Sequence, residues 1–240
     1  MRNPQLITAI HNRRKTFLAL PRWITIPFNG RPVSVMQLLL NKATQLPALL
    51  ERHVELGELS GISNIVETQQ LRTDFLNMIR SLEEWETSAQ AQAQSPLFWS
   101  EPDSEYTEAS YGNSLWFANL LVASSLTLCW ALQIIARTYL NELDEATVAI
   151  KDYAYKANPQ RSCSHISHNT VFSLAEMICD SMPYFLQPEL KVYGPGSTFF
   201  TFSTAIKVFK NNEIHCASQL SRCQQILARL ASIGIHFPSP

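Results

Sequence analysis

Apolar residues recur at steps of three and four over long stretches of this chain, the spacing of one face of an α-helix. The clearest case lies within 62–88, where the apolar positions are Leu71, Phe75, Met78, Ile79, Leu82 and Trp85. A second run within 214–233 ends before Gly234, and glycine often closes a helix. Both stretches are predicted to be amphipathic helices with one buried face.

Shorter apolar repeats extend the helical pattern over much of the remaining chain. They predict helices over 199–209, over 34–45 and just after Pro47, with weaker ones near 5–18 and 143–156. No long period-two run occurs, so strands are not expected. The fold is therefore predicted to be all-α, a single helical-bundle domain over 1–240.

Prolines, glycines and low-complexity sequence interrupt this pattern at 19–33, 89–111 and 157–164. An Ala-Gln-Ala-Gln repeat opens the second of these stretches, and Pro96 and Pro102 follow within it. We expect a flexible linker at about 89–111 inside the one domain.

Residues 111–136 carry no charged side chain, and a helix of this length is long enough to span a bilayer. The segment nevertheless contains amides and hydroxyls, namely Asn113, Ser114, Asn119, Ser124, Ser125, Thr127 and Gln133. A helix that is apolar all round also suits the centre of a large bundle. We therefore expect a long buried apolar helix in the core of a soluble protein, with no membrane partner.

Composition limits the functional classes. Charged residues make up 16% of the sequence, and the net charge is −1. The longest basic run, Arg13-Arg14-Lys15, is too short for strong phosphate binding, so no nucleic-acid partner is expected.

The cysteines form no Cys-x-x-Cys pair, and their number is odd, which is typical of a reducing compartment. The N-terminus has no apolar signal core. These features predict an intracellular protein, nuclear or cytoplasmic.

Several short sequences follow one another at a characteristic spacing. They are Pro21-Arg22-Trp23-Ile24-Thr25-Ile26-Pro27, Leu46-Pro47, Leu82 with Trp85, Leu115-Trp116-Phe117-Ala118-Asn119, Ala175 to Leu186, Gly194-Pro195 and Ile233-Gly234-Ile235. In this order they resemble the C-terminal helical regulatory domain of fungal zinc-cluster transcription factors, the fungal-specific transcription factor domain. The resemblance covers nearly the whole chain. It implies an all-helical domain that takes part in regulation through effectors or partners.

The chain departs from that family in one respect. The family reads DNA with a cluster of six cysteines followed by basic residues, whereas the first cysteine here is Cys129. If the sequence is complete, the resemblance implies a stand-alone relative that does not bind DNA. The other interpretation is one domain of a longer protein.

Two polar residues on a predicted 165–182 helix are candidates for catalysis. His168 shares an apolar face with Val171, Ala175 and Ile178, where an imidazole at a pocket wall can donate or move a proton. The alternative for His168 is a structural role, in which its side chain forms a hydrogen bond to the backbone at the start of the helix. Glu176 lies at the edge of that face, where burial would raise the pKa of its carboxyl. The alternative for Glu176 is a solvent-exposed carboxylate without a catalytic role.

The candidate ligand-binding residues come from the same two segments and the helix after them. Asn119, Trp130 and Gln133 fall on one stripe of the long helix, and a buried amide left unpaired costs roughly 1–3 kcal/mol. Its partner is either a neighbouring helix or a ligand. An apolar pocket bounded by 112–137 and 165–187 is predicted, and the full candidate set is Trp116, Asn119, Trp130, Gln133, Phe172, Tyr184 and Phe202. The alternative for the aromatic members is a place in the core.

No motif indicates a metal, a nucleotide or a hydrolase. His165 and His168 have no third ligand at a suitable spacing, and glycine-rich phosphate loops and nucleophile elbows are absent from the sequence. We therefore expect neither a metal nor a cofactor.

Two functional hypotheses remain. The first is a stand-alone regulatory module that binds an apolar small molecule, a protein partner or a second copy of the chain. The second is a natural-product biosynthetic enzyme recruited from this domain. It would be a cyclase or isomerase of secondary metabolism, of a pericyclic or simple acid–base kind, since such chemistry needs mainly a shaped cavity and one or two donors.

Overall fold

The computed structural model describes residues 3–30, 32–58, 64–102, 113–154 and 164–237. Most of these residues are helical, and the strands among them pair in one small two-stranded sheet. The structure confirms the predicted all-α class as a mostly helical fold, to which it adds the small two-stranded sheet.

The chain divides into two compact units. The first comprises Met1–Thr87 and Ile135–His168, and the second comprises Ser88–Ile134 and Asn169–Pro240. Helices α5 (Asn64–Gln92) and α6 (Leu120–Ala154) contribute residues to both units. The chain therefore passes between the units within regular helix.

Among the described residues of the first unit, the regular elements are all helices. Besides its parts of α5 and α6 it contains α1 (Asn3–His11), α2 (Pro21–Thr25), α3 (Val35–Ala43), α4 (Leu46–Glu58) and single-turn 3₁₀ helices at Phe17–Ala19 and Ile26–Phe28. The helix α3 begins where the sequence supplies a cap, because the hydroxyl of Ser34 accepts a hydrogen bond from the Gln37 amide at 3.2 Å. Fully buried apolar residues form the core: Leu39, Ala43, Leu46, Leu71, Phe75 and Leu82.

The second unit combines short helices with the sheet. Its elements are β1 (Phe98–Pro102), β2 (Asn113–Phe117), most of α7 (Ser164–Asp180), α8 (Met182–Phe185), α9 (Tyr193–Gly196), α10 (Phe199–Lys210), α11 (Ala217–Ser232) and a 3₁₀ turn at Pro188–Leu190. The predicted stop at Gly234 is confirmed. Its φ is +81°, and the Ile235 amide bonds back to the carbonyl of Leu230 at 2.9 Å.

The expectation that the chain has no strands is wrong. The strands β1 and β2 pair in antiparallel register, with Phe98 opposite Phe117 and Trp99 opposite Trp116. Each strand has only five residues, too few to show a period of two against the helical background. Part of the expected linker is also regular, because α5 continues to Gln92 and β1 begins at Phe98. Residues 103–112 lie outside the described part of the structure.

The long apolar helix is confirmed, but it begins at Leu120 rather than near residue 111. Its segment Leu120–Glu145 is long and apolar enough to cross a membrane by length and composition. Of its most apolar stretch, 67% is buried inside the protein. Such burial is typical of a core helix.

Candidate functional site

The two-stranded sheet places aromatic side chains on both of its faces. Neighbours along a strand point to opposite faces, so Phe98 and Phe117 share one face, and Trp99 and Trp116 share the other. The Ala118 amide extends the pairing with a 3.1 Å hydrogen bond to the carbonyl of Leu97. The two aromatic pairs therefore start from opposite faces of the sheet.

Aromatic rings from both faces of the sheet pack into one cluster within the second unit, because the ring of Tyr184 contacts both Phe117 and Trp116. We define this cluster as Phe98, Trp116, Phe117, Trp130, Tyr184 and Phe185. Phe117 is 3% exposed, and its ring centre lies 6.3 Å from Trp130, 5.2 Å from Tyr184 and 6.3 Å from Phe185. Phe98 meets Trp130 edge-on at 5.7 Å. The inner part of the predicted pocket is thus filled by contacting rings, as in a protein core.

The outer part of the cluster is formed by Trp116 and Tyr184. Their ring centres are 6.0 Å apart with planes at 90°, an edge-to-face arrangement. Trp116 is half-buried, whereas Tyr184 is 7% exposed. Helix α8 packs against β2 and so carries Tyr184 to this position. This edge is where the cluster meets solvent.

Tyr184 combines a buried ring with an unpaired hydroxyl. Its phenolic oxygen has no hydrogen-bond partner among the described residues and keeps contact with solvent. Burial raises the pKa of Tyr184 above its ordinary value of 10.0, so the phenol is neutral at physiological pH. A neutral phenol can both donate and accept a hydrogen bond.

A second unpaired hydroxyl belongs to β2. Ser114 is buried, and within the described part of the chain its oxygen has no hydrogen-bond partner. It lies two residues before Trp116 and therefore on the same face of the strand. A buried hydroxyl without a partner is unfavourable, which makes it a candidate contact for a bound molecule.

Asn119 has a different role from the predicted one. Its side chain is exposed, and its amide oxygen accepts a hydrogen bond from the backbone N–H of Val122 at 3.0 Å. This is the geometry of an N-cap for α6. The expectation of a buried Asn119 is wrong because the helix begins at Leu120, after this residue rather than before it.

Gln133 is buried as expected, one turn after Cys129 on α6. Its amide nitrogen lies 3.6 Å from the Cys129 sulfur, a weak acceptor. This contact lies within α6.

The remaining predicted residues lie elsewhere. Phe172 meets Phe209 at 5.3 Å, and Phe202 meets Phe237 at 5.6 Å, both edge-on. Glu176 accepts a 3.2 Å hydrogen bond from the Gln219 side chain. His168 belongs to α7, but its side chain lies outside the described part of the structure. Of the predicted set, the structure brings together Trp116, Trp130 and Tyr184.

Sequence reasoning missed Phe98, Phe117, Phe185 and Ser114. The available signal was the pair of adjacent aromatic residues at 98–99 and again at 116–117. Pairs of this kind suit a strand with two apolar faces. Around the described residues, no group of three or more metal-ligating side chains occurs.

Comparisons with protein-family models, with curated proteins and with solved structures find no match for this chain. The resemblance to the fungal-specific transcription factor domain therefore stays a prediction.

Proposed function

We propose that the chain is a regulatory ligand-binding module of the fungal transcription-factor type, without DNA binding of its own. The ligand would be a small, largely apolar molecule with at least one polar atom, bound at the outer edge of the aromatic cluster. The observation that supports this is the edge-to-face pair of Trp116 and Tyr184 beside an unpaired hydroxyl.

The physical argument rests on what such an edge offers. A half-buried indole gives a large apolar surface at little entropic cost, and a buried phenol next to it gives one directional polar contact. Ser114, on the same face of β2, offers a second. An apolar molecule with one or two oxygen or nitrogen atoms would satisfy both hydroxyls while covering the indole.

The test uses anilinonaphthalene sulfonate, an apolar aromatic dye with one polar group, titrated into the full chain by calorimetry. We expect saturable binding that weakens about tenfold in Trp116→Leu, equivalent to ~1.4 kcal/mol. Tyr184→Phe keeps the ring and should weaken binding severalfold through the lost hydroxyl alone.

The matched control is Trp23→Leu, because Trp23 is a 39% exposed tryptophan in the first unit. It should bind the dye as the wild type does. Equal losses in Trp23→Leu and Trp116→Leu would show general adsorption to exposed indoles and would contradict the proposed site. Every variant is first checked for helical circular dichroism.

A further inference from the structure

Two buried cysteines of the second unit face each other. The sulfur atoms of Cys179 on α7 and Cys223 on α11 are 3.7 Å apart, close enough for one thiol to donate a hydrogen bond to the other. Both residues are buried, at 3% and 2% exposure. Cys129 and Cys216 are buried free thiols as well, and they provide internal references.

Two polar contacts close to the thiol pair join the same two helices. Glu176 accepts a hydrogen bond from Gln219, and Asp180 pairs with Arg222. Glu176 and Gln219 meet about one turn before the thiol pair, and Asp180 and Arg222 are the immediate sequence neighbours of Cys179 and Cys223. The sulfur atoms are thus brought together by the packing of two helices rather than by a mobile loop.

We propose that Cys179 and Cys223 are a redox-active dithiol that a peroxide converts to an intramolecular disulfide joining α7 to α11. This site is independent of the aromatic cluster and of the ligand proposed for it.

The chemistry proceeds in two balanced steps. The thiolate of Cys223 attacks one peroxide oxygen, the O–O bond breaks, and Cys223 becomes a sulfenic acid while hydroxide leaves and takes up a proton to form water. The sulfur of Cys179 then attacks the Cys223 sulfur, the S–S bond forms, and the sulfenic hydroxyl leaves as a second water with the proton of Cys179. The two thiols lose two electrons, and hydrogen peroxide accepts them.

The surroundings assign the two roles. The hydrogen bond with Cys179 lowers the pKa of Cys223, burial opposes this, and the charge of Arg222 lowers the pKa further. The same hydrogen bond and burial raise the pKa of Cys179. Cys223 is therefore the attacking thiol and Cys179 the resolving one.

The remaining movement is small. A disulfide requires the sulfur atoms to approach from 3.7 Å to about 2.05 Å. Because both thiols are buried, peroxide reaches them through local opening of the helix pair. Oxidation should consequently be slower than that of an exposed thiol.

The experiment oxidises the full native chain with hydrogen peroxide, blocks the remaining thiols with a maleimide under denaturing conditions, and maps the linked peptides by mass spectrometry. We expect the loss of two maleimide-reactive thiols per chain and one linked pair, Cys179 with Cys223. Cys216→Ser is the matched control, since it removes another buried thiol and should leave the same pair.

Cys179→Ser should abolish the linked pair and leave Cys223 as a sulfenic acid that dimedone traps. The wild-type chain oxidised in concentrated urea, where packing no longer selects the partner, should give mixed pairs. Retention of both thiols in the native protein, or the same mixture of pairs with and without urea, would overturn the proposal. The wild-type mapping decides the matter even if a serine variant fails to fold.

Discussion

At the residue scale, Gly194 is the position where a single added atom has the clearest consequence. A Cβ built there would lie 2.3 Å from the carbonyl oxygen of Phe185 and 2.8 Å from the Cβ of Leu190. Neither neighbour is the flexible end of a side chain. The close approach holds α9 against the segment that carries Tyr184 and Phe185.

Gly194→Ala should therefore lower the free energy of unfolding by about 2 kcal/mol or more, as overpacking does in cores. Gly196→Ala is the control, because it lies in the same short helix with nothing within 4 Å of its added Cβ. We expect Gly196→Ala to be neutral or slightly stabilising. Urea denaturation of both variants measures the difference, and equal midpoints would contradict the close approach.

Asn119 tests the start of α6. Replacing it with alanine removes the cap on the Val122 amide and should cost about 1 kcal/mol of stability. Asn119→Asp retains an accepting oxygen at the helix N-terminus and should preserve stability. If Asn119→Ala instead weakened dye binding without changing the unfolding midpoint, Asn119 would be a ligand contact and its capping role would be secondary.

Tyr184 links the site to pH. Its pKa is raised in the folded protein by burial, so above pH 10 the unfolded chain loses the phenolic proton first and is stabilised relative to the folded one. The contribution of Tyr184 is fully present below the ordinary pKa and is lost as pH rises through the folded-state value. Between about pH 9 and about pH 11, the wild type should therefore lose stability relative to Tyr184→Phe. A constant difference across this range would argue against a buried phenol.

At the scale of elements, the helices with a single apolar stripe could be predicted from the sequence. α5, α10 and α11 repeat apolar residues at helical spacing, and their buried positions, such as Phe75, Phe209 and Leu230, fall on that stripe. The sheet was not predictable, because β2 lies inside an uncharged run that continues directly into α6. Composition alone does not separate a buried strand from a buried helix turn. The site was predicted in part: Trp116, Trp130 and Tyr184 were in the predicted set, whereas Phe98, Ser114 and Phe117 on the sheet were missed.

The two faces of the sheet are predicted to differ in their contribution to stability. Phe117→Ala should destabilise the protein by about 3–5 kcal/mol, since this ring is buried among four others. Trp99→Ala, on the opposite face, removes a 42% exposed indole whose nitrogen bonds to Glu101 at 2.7 Å on the surface. Its effect should stay below about 1 kcal/mol. Thermal unfolding of the pair measures the contrast, and a larger loss in Trp99→Ala would mean that the faces are assigned the wrong way round.

At the scale of the whole molecule, charge argues against DNA binding. The first 50 residues contain no acidic side chain that would repel DNA. A contact with a DNA phosphate would therefore form in this stretch. Within that stretch, however, Arg14 pairs with Glu51 at 3.5 Å, and Arg13 lies 5.6 Å from the ring centre of Tyr139. The two arginines of the short basic run thus have partners within the first unit.

We predict no sequence-selective, sub-micromolar binding to duplex DNA at physiological salt, as measured by gel shift with a pool of random duplexes. A weak interaction that disappears as salt rises would be the ordinary electrostatic background. A selected consensus sequence would contradict the prediction and would place this chain among DNA-reading proteins.

The burial of Trp130 gives the molecule a built-in optical reporter. It has no exposed surface, whereas the buried indole of the first unit, Trp85, is 5% exposed and donates to the carbonyl of Val35 at 3.1 Å. Buried indoles emit at shorter wavelength than hydrated ones, so each unit contains its own blue-shifted emitter. In Trp85→Phe, the blue edge of the fluorescence spectrum would come mainly from Trp130. A red shift during denaturation would then report the opening of the second unit alone, and the same shift in Trp130→Phe would report the first.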